Sequence, residues 1–182
     1  MKYIGLILFF FMLVGCSEQQ SLGTIKAYNG EVIREDPTDT IVMEDKEYPM
    51  RGEVGDFTVF DADFIAGKEQ THTFYIWFGN KNINKQLLQQ DEIVEWNESA
   101  SDEKQKALGK QINFTAIESE TFEKQNIGTG IIEPLSEEKE NFPLETTAAK
   151  VVTTISIPSQ GVWKIEGSID GQSIGDVTVK VN

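Results

Sequence analysis

From Arg51 to the end of the chain, apolar residues come in short runs rich in Phe, Val, Ile, Thr, Trp and Tyr, cut by clusters of Gly, Asn, Asp and Pro. The runs fall at residues 57–65, 72–78, 86–96, 111–117, 127–132, 149–157, 162–169 and 173–181. With no long stretch of helical periodicity between them, they predict an all-β fold, an antiparallel β-sandwich of about seven to nine strands. Only residues 99–108 suggest a short surface helix, and the apolar stripe there, Ala100, Ala107 and Leu108, is too thin to carry a core.

Alternation is cleanest near the C-terminus. Ala149, Val151, Thr153, Ile155 and Ile157 share one strand face; Trp163, Ile165, Gly167 and Ile169 share another; Val177, Val179 and Val181 form a third. Parity then constrains the last hairpin. A two-residue Asp-Gly turn would set Trp163 against Thr178 and Ile165 against Asp176, whereas an odd loop sets both against residues on the valine face. This predicts a three-residue loop, Ile169-Asp170-Gly171, with Gly171 left-handed in a G1 bulge. In the run at 72–78 both faces are apolar: Tyr75 and Trp77 alternate with Phe74, Ile76 and Phe78. The pattern fits a central strand shielded on both sides. A second reading leaves Tyr75 and Trp77 partly exposed as a binding platform for a glycan or a partner strand.

The N-terminus has a different character. Residues 1–16 read MKYIGLILFFFMLVGC: one lysine, an apolar run too short to span a bilayer, a small residue and the chain's only cysteine. The ending Leu13-Val14-Gly15-Cys16 resembles the lipobox of bacterial lipoproteins. That resemblance implies cleavage before Cys16, diacylglyceryl modification of its thiol, and anchoring to the cell membrane on the extracytoplasmic face. Residues 1–15 are then the signal peptide. Residues 16–50, polar and acidic with turn signals at Asn29-Gly30, Asp36-Pro37 and Tyr48-Pro49, read as a lipidated tether with one loosely docked strand. Residues 51–182 form the sandwich domain.

Charge narrows the functions. Sixteen basic residues against thirty acidic ones give a formal charge of -14, which repels nucleic acid. Processing removes Lys2 and no carboxylate, so the mature body is more acidic still and stands off an anionic lipid surface. One cysteine makes no intramolecular disulfide, and one histidine, His72, makes no multi-histidine metal site. Carboxylates offer oxygen ligands for calcium at Asp61-Ala62-Asp63 and Asp91-Glu92, without EF-hand spacing or a Gly-rich repeat. From Glu118 to Glu145 eight acidic residues face Lys124 and Lys139, and the second half reads as an acidic loop. Gly171-Gln172-Ser173-Ile174-Gly175 spells the nucleophile elbow of α/β-hydrolases, but it lies in a hairpin, with the only histidine upstream.

The C-terminal stretch PSQGVWKIEGSIDGQSIGDVTVKV resembles the ending of a family of uncharacterised Bacillus-type lipoproteins with an immunoglobulin-like domain. The segment from Gly52 to Asn80, with its FYIWFGN run, resembles the same family's central aromatic strand. Together they cover about 60 residues, and their motifs concern fold rather than catalysis. The resemblance implies a membrane-anchored immunoglobulin-like β-sandwich of unknown function. On these grounds the expected role is a binding or scaffolding module with an envelope protein as partner, no cofactor, no metal and no catalytic residues. The alternative is a glycan-binding protein or a carboxylate-based wall hydrolase drawing on Asp61 and Asp63 or Asp91 and Glu92.

Overall fold

The computed structural model describes residues 36, 38–43, 46–79, 98–135 and 147–182. In chain order the elements are β1 (Thr38–Met43), β2 (Lys46–Glu53), β3 (Phe57–Phe60), β4 (Gln70–Trp77), the helix α1 (Glu98–Ala107), β5 (Gln111–Glu118), β6 (Lys124–Ile131), β7 (Glu133–Pro134), β8 (Ala148–Ile155), β9 (Gly161–Ile169) and β10 (Gln172–Val181). They form a six-stranded sheet in the order β1-β2-β3-β4-β8-β7 and a four-stranded sheet in the order β10-β9-β5-β6. The strand pairs are antiparallel. The order β3-β4-β8-β7 against β10-β9-β5-β6 is the immunoglobulin arrangement, A-B-E-D on one sheet and C-F-G with an added C′ strand on the other. The all-β sandwich read from the apolar runs is the fold.

Ten strands rather than seven to nine are described, and the surplus lies largely at the N-terminus. β1 and most of β2 precede residue 51, so much of the segment read as tether joins the larger sheet, where Met50 is fully buried. The expected run at 86–96 lies outside the described residues.

The core is a sandwich filling. Phe57 and Val59 of β3, Phe74 and Ile76 of β4, and Val151 and Ile155 of β8 meet Ile112, Phe114 and Ala116 of β5, Trp163 and Ile165 of β9, and Val177 and Val179 of β10. Phe74 links the layers, with its ring centroid 5.7 Å from Phe57 in its own sheet and 4.6 Å from Phe114 across the gap. Trp163 is 2% exposed and its indole N–H donates to the Ser159 carbonyl at 3.1 Å, which satisfies its one polar atom. Helix α1 buries Ala100, Lys104 and Ala107 along one side, and Ala107 reaches the main core. Its stripe, expected to be too thin, works because alanine lets the helix backbone come close while the lysine stem covers apolar surface.

The last hairpin reaches the expected pairing by another device. Trp163 opposes Val179 and Ile165 opposes Val177, as parity required. The turn, however, is the two-residue Asp170-Gly171 with φ of 51° and 81°, between paired Ile169 and Gln172. Positive φ at both positions marks a type I′ turn, whose twist suits a hairpin. The parity is corrected further along, by a shift of register between Ser173 and Gly175. Glycine is required at 175 because a Cβ there would sit 2.5 Å from Cβ of Phe57. The bulge therefore sits where Phe57 of the facing sheet presses on β10, not at the turn.

At the opposite edge, β6 lies against β8. A Cβ at Gly130 would stand 2.3 Å from Cγ1 of Val151, and one at Gly128 would stand 2.8 Å from the Thr154 carbonyl. The Thr153 hydroxyl donates to the Thr129 carbonyl at 2.6 Å. The Gly-Thr-Gly run thus lets one sheet close onto the other.

Candidate functional site

Cys16, the residue read as lipidated, lies outside the described residues, as do Asp91, Glu92 and most of the acidic stretch beyond Leu135. Among the described residues no helix is long and apolar enough to cross a membrane.

Tyr75 and Trp77 are placed, and the reading that exposes them as a platform needs correction. They are 1% and 4% exposed, in a second apolar cluster with Met50, Leu135 and Ala148, against which Val54 and Phe60 pack. Phe60 meets Tyr75 edge-on at 5.2 Å, and Tyr75 lies 6.5 Å from Trp77. The outer side of β4 is therefore a second, smaller core. Further along that side the residues change to Thr71 and Thr73, opposite Thr154 and Val152 in register, with the Thr71 and Thr154 hydroxyls 2.9 Å apart. Val152 is 48% exposed, so the open part of this face is threonine and valine rather than aromatic.

Among the described residues a polar arrangement forms around Asp36, the first of them in the chain. Asp36 lies beside β10: its backbone N–H donates to the Thr178 carbonyl at 2.9 Å, and its Oδ2 accepts from the Thr178 N–H at 2.6 Å. The carboxylate thus takes the place of the backbone carbonyl of a neighbouring strand. Arg51 Nη1 donates to the Asp36 carbonyl at 3.0 Å, while Nε and Nη2 donate to Oδ1 of Asp61 at 3.0 and 2.6 Å. One guanidinium therefore ties Asp36 to the β3–β4 connection. Lys164 and Asp176 pair at 3.0 Å on neighbouring strands close by. Burial pushes the Asp36 carboxyl above the usual carboxylate range; the Thr178 amide opposes that rise, Asp176 adds to it, and Arg51 and Lys164 oppose it. The sequence signalled only a turn here, from Asp36-Pro37. Partners 15 and 142 residues away leave no local pattern.

Of the carboxylates weighed for hydrolysis or calcium, Asp61 is held by Arg51, and Asp63 offers its backbone carbonyl to Gln70 Nε2 at 2.8 Å. Among the described residues no group of three or more His, Cys, Asp or Glu is placed to hold a metal ion. Ser173 of the elbow-like pentapeptide sits in β10 opposite Ser168, between a turn and a bulge, so the required strand-turn-helix is absent there.

His72 is buried on the core side of β4, stacked on Phe64 with ring centroids 4.2 Å apart and planes 8° from parallel. Its Nε2 meets no hydrogen-bond partner among the described residues, and burial pushes its pKa below the ordinary histidine value. Phe64 belongs to a strap, residues 61–69, that ties the C-terminus: Asn182 N–H donates to the Phe64 carbonyl at 2.8 Å, and Ala66 N–H to the Asn182 carbonyl at 3.0 Å.

No protein-family model matches the chain. No curated protein matches it either. Among solved structures it is similar to "X-ray Crystal Structure of a Putative Lipoprotein from Bacillus anthracis", over 82% of this chain and 88% of that one, at 11% identity and a TM-score of 0.47. That description names the kind of protein the C-terminal motifs resemble. At such identity and score the likeness bears on neither the family nor the role of this chain.

Proposed function

We propose that this protein is an extracytoplasmic lipoprotein, anchored through Cys16, whose immunoglobulin-type sandwich is a non-enzymatic binding or scaffolding module for another envelope protein. The lipobox-like ending at Cys16 supports the anchor. The observation favouring binding over hydrolysis is the Arg51 fork on Asp61, which commits a candidate acid or base to holding Arg51, itself bonded to Asp36. A glycan site on Tyr75 and Trp77 is disfavoured by their burial.

Two experiments on the full-length protein test the reading. Cys16→Ala should leave an unprocessed precursor or release the mature protein from membranes. Mature protein that stays membrane-bound without Cys16 overturns the anchor. Crosslinking in intact cells, read by mass spectrometry, should capture one reproducible protein partner. Capture of wall fragments alone overturns the protein-binding reading in favour of a glycan-directed role.

A further inference from the structure

The two sheets present four edge strands, and three are closed by identifiable devices. β10 is occupied at Thr178 by Asp36 and at its end by the strap, where Phe64 bridges Val181. β6 is engaged by β8 and the residue after it: the Ser156 N–H donates to the Ile127 carbonyl at 3.4 Å and the Thr153 hydroxyl donates to the Thr129 carbonyl at 2.6 Å. β7 is only two residues long, one of them Pro134, which has no N–H to offer. β1 has none of these. It runs for six residues in unbroken register with β2, contains no proline, and carries a single charge, Asp39. No described strand lies on its far side. Native sheets usually blunt such an edge, because its free N–H and C=O groups are a template for another strand.

The hairpin also overhangs the sandwich. β2 pairs with β3 from Met50↔Phe60 to Glu53↔Phe57, whereas Lys46, Glu47 and Tyr48 pair only with Met43, Val42 and Ile41 of β1. A two-stranded ribbon is marginal in water on its own, and a third strand would give β1 partners that no described strand supplies. Charge indicates what that strand is. Over residues 38–43 and 46–49 the two strands carry Asp39 and Glu47 against Lys46, on a chain of net charge -14. A second copy is repelled and a basic strand is attracted.

We propose that the outer edge of β1 is a strand-addition site for an extended segment of another protein in which apolar residues alternate with lysine or arginine. Main-chain hydrogen bonds to β1 would supply affinity, and the acidic hairpin would select the charge. The proposal rests on the binding-module reading and gives it a surface.

The test is amide hydrogen exchange on the full chain, with and without a short synthetic peptide alternating valine with lysine. Exchange at alternate amides of Thr38–Met43 should slow by about tenfold or more, with no change at Asp176 or Lys180 of β10. A peptide alternating valine with glutamate should have no effect. Because neighbouring residues of a strand point their N–H groups to opposite sides, one of Thr40→Pro and Ile41→Pro should abolish the slowing without unfolding the hairpin. No slowing at saturating peptide, or equal slowing at β10, overturns the proposal. Slowing with rising protein concentration alone makes the occupant a second copy, and also overturns it. A photo-crosslinking residue placed at Thr40 or at Val152 in cells separates the two levels. Capture at Val152 alone overturns the β1 site and leaves the binding module standing, whereas capture at neither position overturns both.

Discussion

The two sides of β4 carry similar residues and live in different surroundings. On one side Phe74 and Ile76 are gripped between two sheets, with Phe114 meeting Phe74 at a tilt across the gap. On the other, Tyr75 and Trp77 are just as buried, yet their company is an irregular set drawn from β2, β3, the end of β7 and the start of β8. Alternation along a strand reports that two faces differ or agree in chemistry; it does not report what covers them. The difference teaches that an apolar outer face on an immunoglobulin-type sheet can be a second cluster built from neighbouring strands of that sheet, with Val54 and Leu135 added from just beyond strand ends.

The sharpest way to break this comparison is by truncation on each side. Trp163→Ala in the inter-sheet core should cost about 3 to 5 kcal/mol, measured by chemical denaturation. A loss below about 1 kcal/mol would remove Trp163 from the core. Trp77→Ala should cost about 2 to 4 kcal/mol, somewhat less because this smaller cluster is not held between two sheets and can collapse onto the space left. A neutral result would make the outer cluster a loose cover and reopen the platform reading. Gly175→Ala comes next, at about 1 to 3 kcal/mol, since its methyl group meets the Phe57 side chain and the bulge or the ring must move. If the variant is as stable as the parent, the bulge is not set by that contact.

The smallest effect depends on pH. His72 is the only histidine, and its folded pKa lies below the unfolded one, so the unfolded chain takes up the proton first. Stability should be intact above the unfolded value of about 6.5 and decline as pH falls from there towards the folded value. His72→Phe keeps the ring stacked on Phe64 and should abolish that part of the decline. An unchanged pH profile in the variant would assign the decline to carboxylates instead.

Much of the fold was legible because it is written in alternation. Parity alone placed Trp163 against the valine face, although the partner it meets, Val179, lies two residues beyond the one a three-residue loop would have supplied. The bulge at Ser173–Gly175 was not legible, because its cause is Phe57, on the other sheet and more than a hundred residues away. The same holds for Asp36, whose partner Thr178 belongs to the last strand. The β1–β2 hairpin escaped for a different reason: its sequence is acidic and interrupted by Pro49, and only pairing with β3 makes its inner half part of a sheet. At the candidate sites, sequence chemistry identified residues able to act but not those already engaged, as Asp61 is by Arg51.

Asp36 also sets how the domain bears a load. A force applied at Asp36 acts partway along β10, at Thr178, rather than at either tip of the sandwich. Two hydrogen bonds to Thr178 and one from Arg51 meet it first, so the attachment yields by peeling, bond after bond, before a strand must slide.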